Sequence, residues 1–183
     1  VGVAWGGSEV ITIDENLNRL PTGEMGELVG RSRTMMSGYQ NQPGKTEEAS
    51  WYDENGDRWQ RMGDIGCVDE DGFITLMGRS KDMIISGGFN IYPRDLEEVL
   101  LRQAGVVDAA VIGVPSRQWG ETPLGFVVIR KGTQVDLKTL LEKANAELGK
   151  TQRLSELRAI EELPRSHIGK ILKTELREMA ENQ

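Results

Sequence analysis

The chain has little of the two residues that most often build stapled or metal-bound sites, with one cysteine, Cys67, and one histidine, His167, in 183 residues. A single cysteine excludes an intramolecular disulfide framework and a cysteine-rich zinc site. Residues 1–20 lack the basic start and apolar stretch of a secretory signal, and no run approaches the roughly 18 to 20 apolar residues of a transmembrane helix. We therefore expect a cytoplasmic protein in a reducing compartment.

Positive charge is also scarce. Lys and Arg number 22 against 29 Asp and Glu, which gives a net charge of −7. Nucleic acids and anionic membranes both attract a basic face, so neither is expected as a partner. Apolar residues make up 38% of the chain and charged residues 28%, a composition typical of a folded protein. The length allows one domain or two small ones.

Residues 1–79 carry short apolar runs that alternate with polar residues, separated by turn clusters at 53–57 and 69–72. Glycines in these clusters favour the positive φ of hairpin turns. The pattern predicts a mostly β subdomain. Its predicted strands are 27–31, 59–62, 66–68 and 73–77.

The pattern changes after Gly78, where apolar residues begin to recur at helical spacing. Pro93 is expected in the first turn of a helix, and Asp136 is expected to cap another. The order βαββαβα predicts a small α+β domain at 83–183, joined to the β-rich subdomain, 1–79, by a polar hinge at 80–82. The predicted elements are strands 83–85, 106–114, 124–130 and 157–160, and helices 93–102, 136–148 and 170–180.

Asp64 is the first candidate binding residue, because it follows a glycine at the expected end of a strand. A carboxylate there can accept two hydrogen bonds from a vicinal diol, as in the ribose of a nucleotide. The alternative is a simple turn former.

A second candidate segment is 78–93, which combines a charged tetrad, a short apolar strand and a glycine pair. Arg79 can offer its planar fork of donors to phosphate or ribose oxygens. Gly87 and Gly88 let the backbone turn tightly or let a slender ligand pass close. The alternative is a linker followed by a glycine turn.

The third candidate is Lys170, at the end of the loop 163–170. The loop is not the phosphate loop of nucleoside triphosphatases, because Ile171 follows Lys170 where Ser or Thr is required. A lysine on a flexible loop can still bring a point charge into an anionic site, and a solvated lysine at a helix start is the alternative. We interpret Cys67 as packing, His167 as an exposed loop residue, and the pairs 97–98 and 161–162 as solvated faces. No metal-ligand cluster is evident.

Taken together and in order, these motifs resemble the adenylate-forming superfamily, which includes acyl-CoA synthetases, firefly-type luciferases and the adenylation domains of peptide synthetases. The resemblance runs from Gly23 to the end of the chain. Within the superfamily, 83–93 looks most like the fatty-acyl and aryl-CoA ligase branch.

The resemblance implies two half reactions, in which a carboxylate and ATP give an acyl-adenylate and pyrophosphate, and CoA then gives acyl-CoA and AMP. Asp64 is similar to the aspartate that holds the ribose hydroxyls, and Arg79 to an arginine near the ribose and phosphate. Lys170 matches the lysine that acts in adenylation. Lys81 matches the hinge of the small domain, and Gly87 with Gly88 would lie beside the channel for the pantetheine arm.

The sequence also departs from the family pattern. The loop that cradles the ATP phosphates, and the stretch that contacts adenine and magnesium, normally lie upstream of Gly23 and do not occur here. The chain therefore looks like the last third of an enzyme, whose missing N-terminal portion is its expected partner and would supply the Mg²⁺ site. Ile168 stands where Ser or Thr usually precedes Gly-Lys.

We therefore expect a fragment of an ATP-dependent carboxylic acid:CoA ligase, most similar to fatty acid-CoA ligases, that uses ATP and CoA as substrates and is inactive in isolation. One alternative is a non-catalytic module that binds CoA or a partner. The absence of an initiator Met favours excision from a longer protein over that alternative. Another is a peptide-synthetase adenylation domain.

Overall fold

The computed structural model describes residues 2–182, and these divide into two compact units, one ending at Lys81 and the next beginning at Asp82. Each unit contains its own β-sheet. The chain is thus α+β, as predicted, although the assignment of 80–82 as a hinge stays a prediction. Within residues 2–182 no helix is both long enough and apolar enough to cross a membrane.

The first unit is built around a six-stranded sheet with the order β1-β6-β5-β3-β2, in which β4 also pairs with β5. Its elements are β1 (Gly2–Val3), β2 (Glu9–Ile13), β3 (Gly26–Arg31), α1 (Pro43–Glu48), β4 (Ser50–Tyr52), β5 (Arg58–Val68) and β6 (Phe73–Arg79). The predicted strands 59–62 and 66–68 are one strand, β5. β1, β2, β4 and α1 were not predicted. β1, β4 and α1 are short segments with little periodic signal, whereas β2 has the β-branched residues typical of a strand and could have been found.

The predicted turn clusters form as expected. Asp53 Oδ1 accepts from the backbone N–H groups of Asn55 and Asp57 at 2.9 and 3.0 Å, and Gly56 has a φ of +80°. In the next cluster, Asp69 Oδ1 accepts from the N–H of Phe73 at 2.8 Å. These contacts join β4 to β5 and β5 to β6 in antiparallel pairs.

The second unit has a five-stranded sheet with the order β11-β10-β7-β8, in which β9 pairs with β10. Its elements are β7 (Ile84–Ser86), β8 (Phe89–Ile91), α2 (Pro93–Leu101), β9 (Val106–Ser116), β10 (Gly120–Ile129), α3 (Leu137–Glu147), β11 (Glu156–Ile160) and α4 (Lys173–Glu181). The predicted order lacked β8, a three-residue strand that forms a hairpin with β7.

Apolar residues on the helices cover this sheet. Pro93 begins α2, and the N-cap Asp136 accepts a hydrogen bond from Thr139 N, so both predicted helix starts are confirmed. The helix predicted at 170–180 begins at Lys173 instead. Two buried clusters form the core of this unit; one includes Leu96, Leu100, Val111 and Leu140, the other Ile112, Phe126, Leu163 and Leu176.

Candidate functional site

Asp64 and Arg79 are brought together by the pairing of β5 with β6, where they are direct cross-strand partners. Arg79 Nε lies 2.9 Å from Asp64 Oδ1, and the two side chains are 51% and 28% exposed. Asp64 lies inside β5 rather than at its end, which corrects the sequence interpretation. The glycine that suggested a turn, Gly63, has a φ of +68° and makes the backbone of β5 irregular just before Asp64.

This pair places an acceptor beside a fork of donors on one accessible edge. The ion pair uses Oδ1 of Asp64, while Oδ2 makes no hydrogen bond to any residue between 2 and 182. A diol can donate to a carboxylate oxygen of this kind, and the guanidinium can donate to a phosphate. The arrangement has the chemistry expected for a ribose phosphate.

Lys81 is exposed and lies in the 3-10 turn Ser80–Asp82. On its N-terminal side, Ser80 Oγ donates to Gly63 O at 3.3 Å in the first unit. On its C-terminal side, Asp82 Oδ1 accepts from Arg177 Nη2 at 3.0 Å in the second unit. Each neighbour of Lys81 is thus fastened to its own unit.

Gly87 and Gly88 form the two-residue turn of the β7–β8 hairpin, with φ angles of +58° and +83°. Positive φ at both central positions is the geometry that favours glycine in a tight hairpin. A Cβ on Gly87 would lie 2.8 Å from Trp119 Cε3, whereas a Cβ on Gly88 would meet nothing within 4 Å. The hairpin therefore accounts for both glycines without a ligand, and their role in a channel stays a prediction.

Three large apolar side chains surround this hairpin on the surface. Ile85, Phe89 and Trp119 are 50%, 57% and 51% exposed. The backbone N–H of Gly87 donates to Trp119 O at 2.8 Å, and Glu121 Oε2 accepts from Ile85 N at 3.0 Å. The hairpin is thus fixed to the β9–β10 connection.

Lys170 directly follows a tight turn, and its side chain is exposed. Gly169 N donates to Ser166 O at 2.8 Å and Ser166 N to Lys170 O at 2.8 Å, while Lys170 N donates to Ser166 Oγ at 3.1 Å. The flexible loop predicted here is therefore a hydrogen-bonded hairpin. The Lys170 ammonium has no ion-pair partner within the described residues 2–182.

Sequence reasoning missed the residues that fasten this turn. Arg165 donates to Gly169 O at 2.7 Å and to Asp108 Oδ2 at 2.6 Å. Lys173 Nζ lies 2.8 Å from Glu97 Oε1, which also accepts from Val111 N at 2.9 Å.

The interpretation of Glu97 as a solvated residue is wrong, since its side chain is 19% exposed. The position of Glu97 on α2 already indicates that its side chain is partly buried. Glu97 falls four residues after Pro93 and three before Leu100, both buried, so it borders the apolar face of the helix. Glu98, by contrast, is exposed and pairs with Arg94.

Other candidate residues have ordinary surroundings. His167, Glu161 and Glu162 are exposed. Cys67 is a free, half-buried thiol in β5. Among residues 2–182, no group of three or more His, Cys, Asp or Glu is placed to hold a metal ion.

Comparison with known protein families finds a match inside the second unit. Residues 95–170 match the family of the AMP-binding enzyme C-terminal domain. This segment of the chain is therefore similar to that domain. The match to this C-terminal domain ends on Lys170 itself.

Relatives of the whole chain are CoA ligases. The chain is 40% identical over 156 residues to the sulfoacetate–CoA ligase of Cupriavidus necator. The aligned region covers 85% of this chain and 30% of that protein. It is 37% identical over 182 residues to the long-chain-fatty-acid–CoA ligase of Escherichia coli O6:H1. That aligned region covers 98% of this chain and 31% of that protein. The chain thus spans about a third of the length of these relatives.

A solved structure extends the likeness to three dimensions. ATP-bound MatB from Rhodopseudomonas palustris superposes with a TM-score of 0.90 and 33% identity, over 100% of this chain and 36% of MatB. Both units of the chain are therefore similar to parts of MatB.

Proposed function

We propose that this chain is part of an ATP-dependent carboxylic acid:CoA ligase that forms an acyl-adenylate and then an acyl-CoA. The observation that carries the proposal is the Lys170 turn, which ends the family match and presents an ammonium with no ion-pair partner among residues 2–182. The likeness to CoA ligases over nearly the full chain supports the same reaction class.

Lys170 acts in the first half reaction. The carboxylate of the acid and the polyphosphate of ATP are both anionic, so their approach is opposed by charge repulsion. An ammonium placed between them stabilises the negative charge that develops on the α-phosphate oxygens as the new bond forms. The second half reaction begins from an acyl-adenylate that already exists, and it does not need this charge.

Asp64 and Arg79 bind the nucleotide. The free Oδ2 of Asp64 accepts from the ribose hydroxyls, and the remaining N–H groups of Arg79 donate to ribose or phosphate oxygens. The two residues hold each other in place before the nucleotide arrives, which reduces the entropy cost of ordering them on binding.

Gly87 and Gly88 lie beside the path of the pantetheine arm, and Lys81 is the hinge at which the small domain pivots between the two half reactions. The exposed side chains near the glycine turn, Phe89 and Trp119, support an apolar wall at this place. The fastening of Ser80 and Asp82 to different units supports a change of backbone conformation at Lys81.

The acid is proposed to be a fatty or aryl carboxylic acid. The relatives include ligases named for sulfoacetate and for long-chain fatty acids, whose names share the reaction class and differ in the acid. Any bound Mg²⁺ would neutralise the ATP phosphates, and no three His, Cys, Asp or Glu side chains among residues 2–182 are grouped to hold it. We also propose a cytoplasmic location.

The test is an assay of the full-length protein for pyrophosphate release over a panel of acids of increasing length and aromaticity. We expect release with ATP and one class of acid, and acyl-CoA with AMP once CoA is added. The isolated 183-residue chain is the matched control and should release none. A non-catalytic module would bind CoA without releasing pyrophosphate, and a peptide-synthetase domain would form the adenylate and fail to use CoA.

A further inference from the structure

Two ion pairs bracket Lys170, and neither belongs to the residues assigned to binding or catalysis above. The first joins Arg165, five residues before Lys170, to Asp108. Arg165 uses its two terminal nitrogens for different purposes, since Nη2 bonds the Asp108 carboxylate and Nη1 donates to Gly169 O. The guanidinium thus connects the carbonyl next to Lys170 directly to strand β9.

The second pair joins Lys173, three residues after Lys170, to Glu97 on α2. Both side chains are largely buried, at 17% and 19% exposure. The Glu97 oxygen that receives Lys173 also accepts the backbone N–H of Val111, which lies in β9. The segment after Lys170 is therefore fastened to the same strand as the segment before it.

Strand β9 is well suited to serve as an anchor. It pairs with β10 from Val106 to Ser116, and Ala109, Ala110, Val111 and Ile112 are at most 3% exposed. The carboxylate of Asp108 is fixed by two hydrogen bonds. Its Oδ1 accepts from Ala109 N at 3.0 Å, and its Oδ2 accepts from Arg165 Nη2. Although β9 pairs with β10 alone among the strands of residues 2–182, a strand whose side chains are packed into the core moves little relative to that core.

The Arg165 pair is too exposed to be explained by stability alone. Its side chains are 39% and 31% exposed, and ion pairs at such positions contribute little to folding. What the pair does fix is the direction of the chain at Gly169 and Lys170. A lysine side chain that starts from a fixed backbone has fewer conformations to lose when it reaches its target.

We propose that Asp108, Arg165, Glu97 and Lys173 are positioning residues that hold the Lys170 turn in the orientation required for adenylation. The inference rests on the proposed role of Lys170. Removing either pair leaves the lysine present and charged but lets the turn swing, so adenylation slows. Thioester formation from a finished acyl-adenylate keeps its rate.

The test compares variants of the full-length protein. Asp108→Ala breaks the first pair. Glu156→Ala is the matched control, because it also removes a carboxylate from an arginine, at 2.9 Å from Arg158 on β11. Lys170→Ala reports whether the lysine itself matters. Each variant is measured for adenylation, for conversion of a supplied acyl-adenylate with CoA, and for amide exchange of Gly169 and Lys170.

We expect Asp108→Ala to lower the rate constant for adenylation by up to roughly 100-fold, because a displacement of about 1 Å at a reacting centre can cost that much, with little change in the KM for ATP. Thioester formation should stay within about twofold of wild type, and the Gly169 and Lys170 amides should exchange faster. Asp108→Asn, which keeps the Ala109 contact, covers the case in which Asp108→Ala does not fold.

Two outcomes overturn the inference. In one, Asp108→Ala and Asp108→Asn both match Glu156→Ala in adenylation and exchange while Lys170→Ala is slow. In the other, both half reactions fall equally in the Asp108 variants, which would indicate a general structural role. Normal adenylation by Lys170→Ala would instead overturn the proposed function on which the inference depends.

Discussion

At the scale of single residues, Gly87 and Gly88 show how one sequence feature can have two physical causes. Both adopt the positive φ of a two-residue hairpin, yet only Gly87 has a neighbour, Trp119, where a side chain would begin. The sequence could suggest a tight turn from the glycine pair. It could not suggest Trp119, which lies more than thirty residues away along the chain.

We expect Gly87→Ala to destabilise the chain more than Gly88→Ala. Both pay about 1–2 kcal/mol for a side chain at positive φ, and Gly87→Ala also pushes its Cβ against Trp119, an overpacking cost of roughly 1–3 kcal/mol. Urea unfolding of each variant measures the difference. Trp119→Ala in the Gly87→Ala background should remove the excess; if the two glycine variants are equally stable, the Trp119 contact has no energetic weight.

At the scale of elements, the parts that the sequence predicted best were those with local signals. Asp136 and Pro93 mark helix starts through chemistry confined to one turn, and both were found in place. Strand β8 and the interior position of Asp64 were missed, because each depends on a partner strand. The role of Glu97 depends on Lys173, 76 residues further along the chain, and no local pattern reports such a pair.

The N-cap of α3 gives a prediction about pH. Hydrogen bonds from the Thr139 side chain and backbone lower the pKa of Asp136. A carboxyl group whose pKa is lowered in the folded state stabilises the fold above its unfolded pKa, about 3.9, and loses that contribution as pH falls through the folded pKa. Asp136→Ala should therefore melt at a lower temperature than wild type at pH 7, and the gap should narrow in acid.

Asp95, in the first turn of α2, is a control of opposite sign. Burial is the main cause that raises its pKa, so its contribution to stability is greatest below the unfolded pKa and declines as pH rises through the folded pKa. Asp95→Asn should thus gain stability relative to wild type as pH rises.

For the cap itself, the difference in melting temperature between Asp136→Ala and wild type should narrow in acid. A difference that stays constant down to about pH 3 would contradict the account of the cap.

At the scale of the whole molecule, the chain consists of two units that meet in sequence between Lys81 and Asp82. We expect Lys81→Pro in the full-length protein to slow one half reaction much more than the other. Proline fixes φ at its own position and disfavours helical backbone at the preceding Ser80, so it restricts the backbone conformations available at the proposed hinge.

The measurement is the rate of each half reaction in Lys81→Pro. Lys81→Ala is the control, since it removes the same exposed side chain without restricting φ. It should leave both rates near those of wild type. An equal loss of both half reactions in Lys81→Pro, or no loss, would count against a hinge at this residue.

The most direct test of the account is Lys170→Ala in the full-length protein, with each half reaction measured separately. Loss of one preorganised donor at a developing charge typically costs on the order of 100- to 1000-fold in rate. We expect a loss of that size in pyrophosphate release with ATP and acid, and near-normal conversion of a supplied acyl-adenylate and CoA to acyl-CoA. Near-normal rates in both steps would show that Lys170 is an ordinary exposed lysine and would contradict the account.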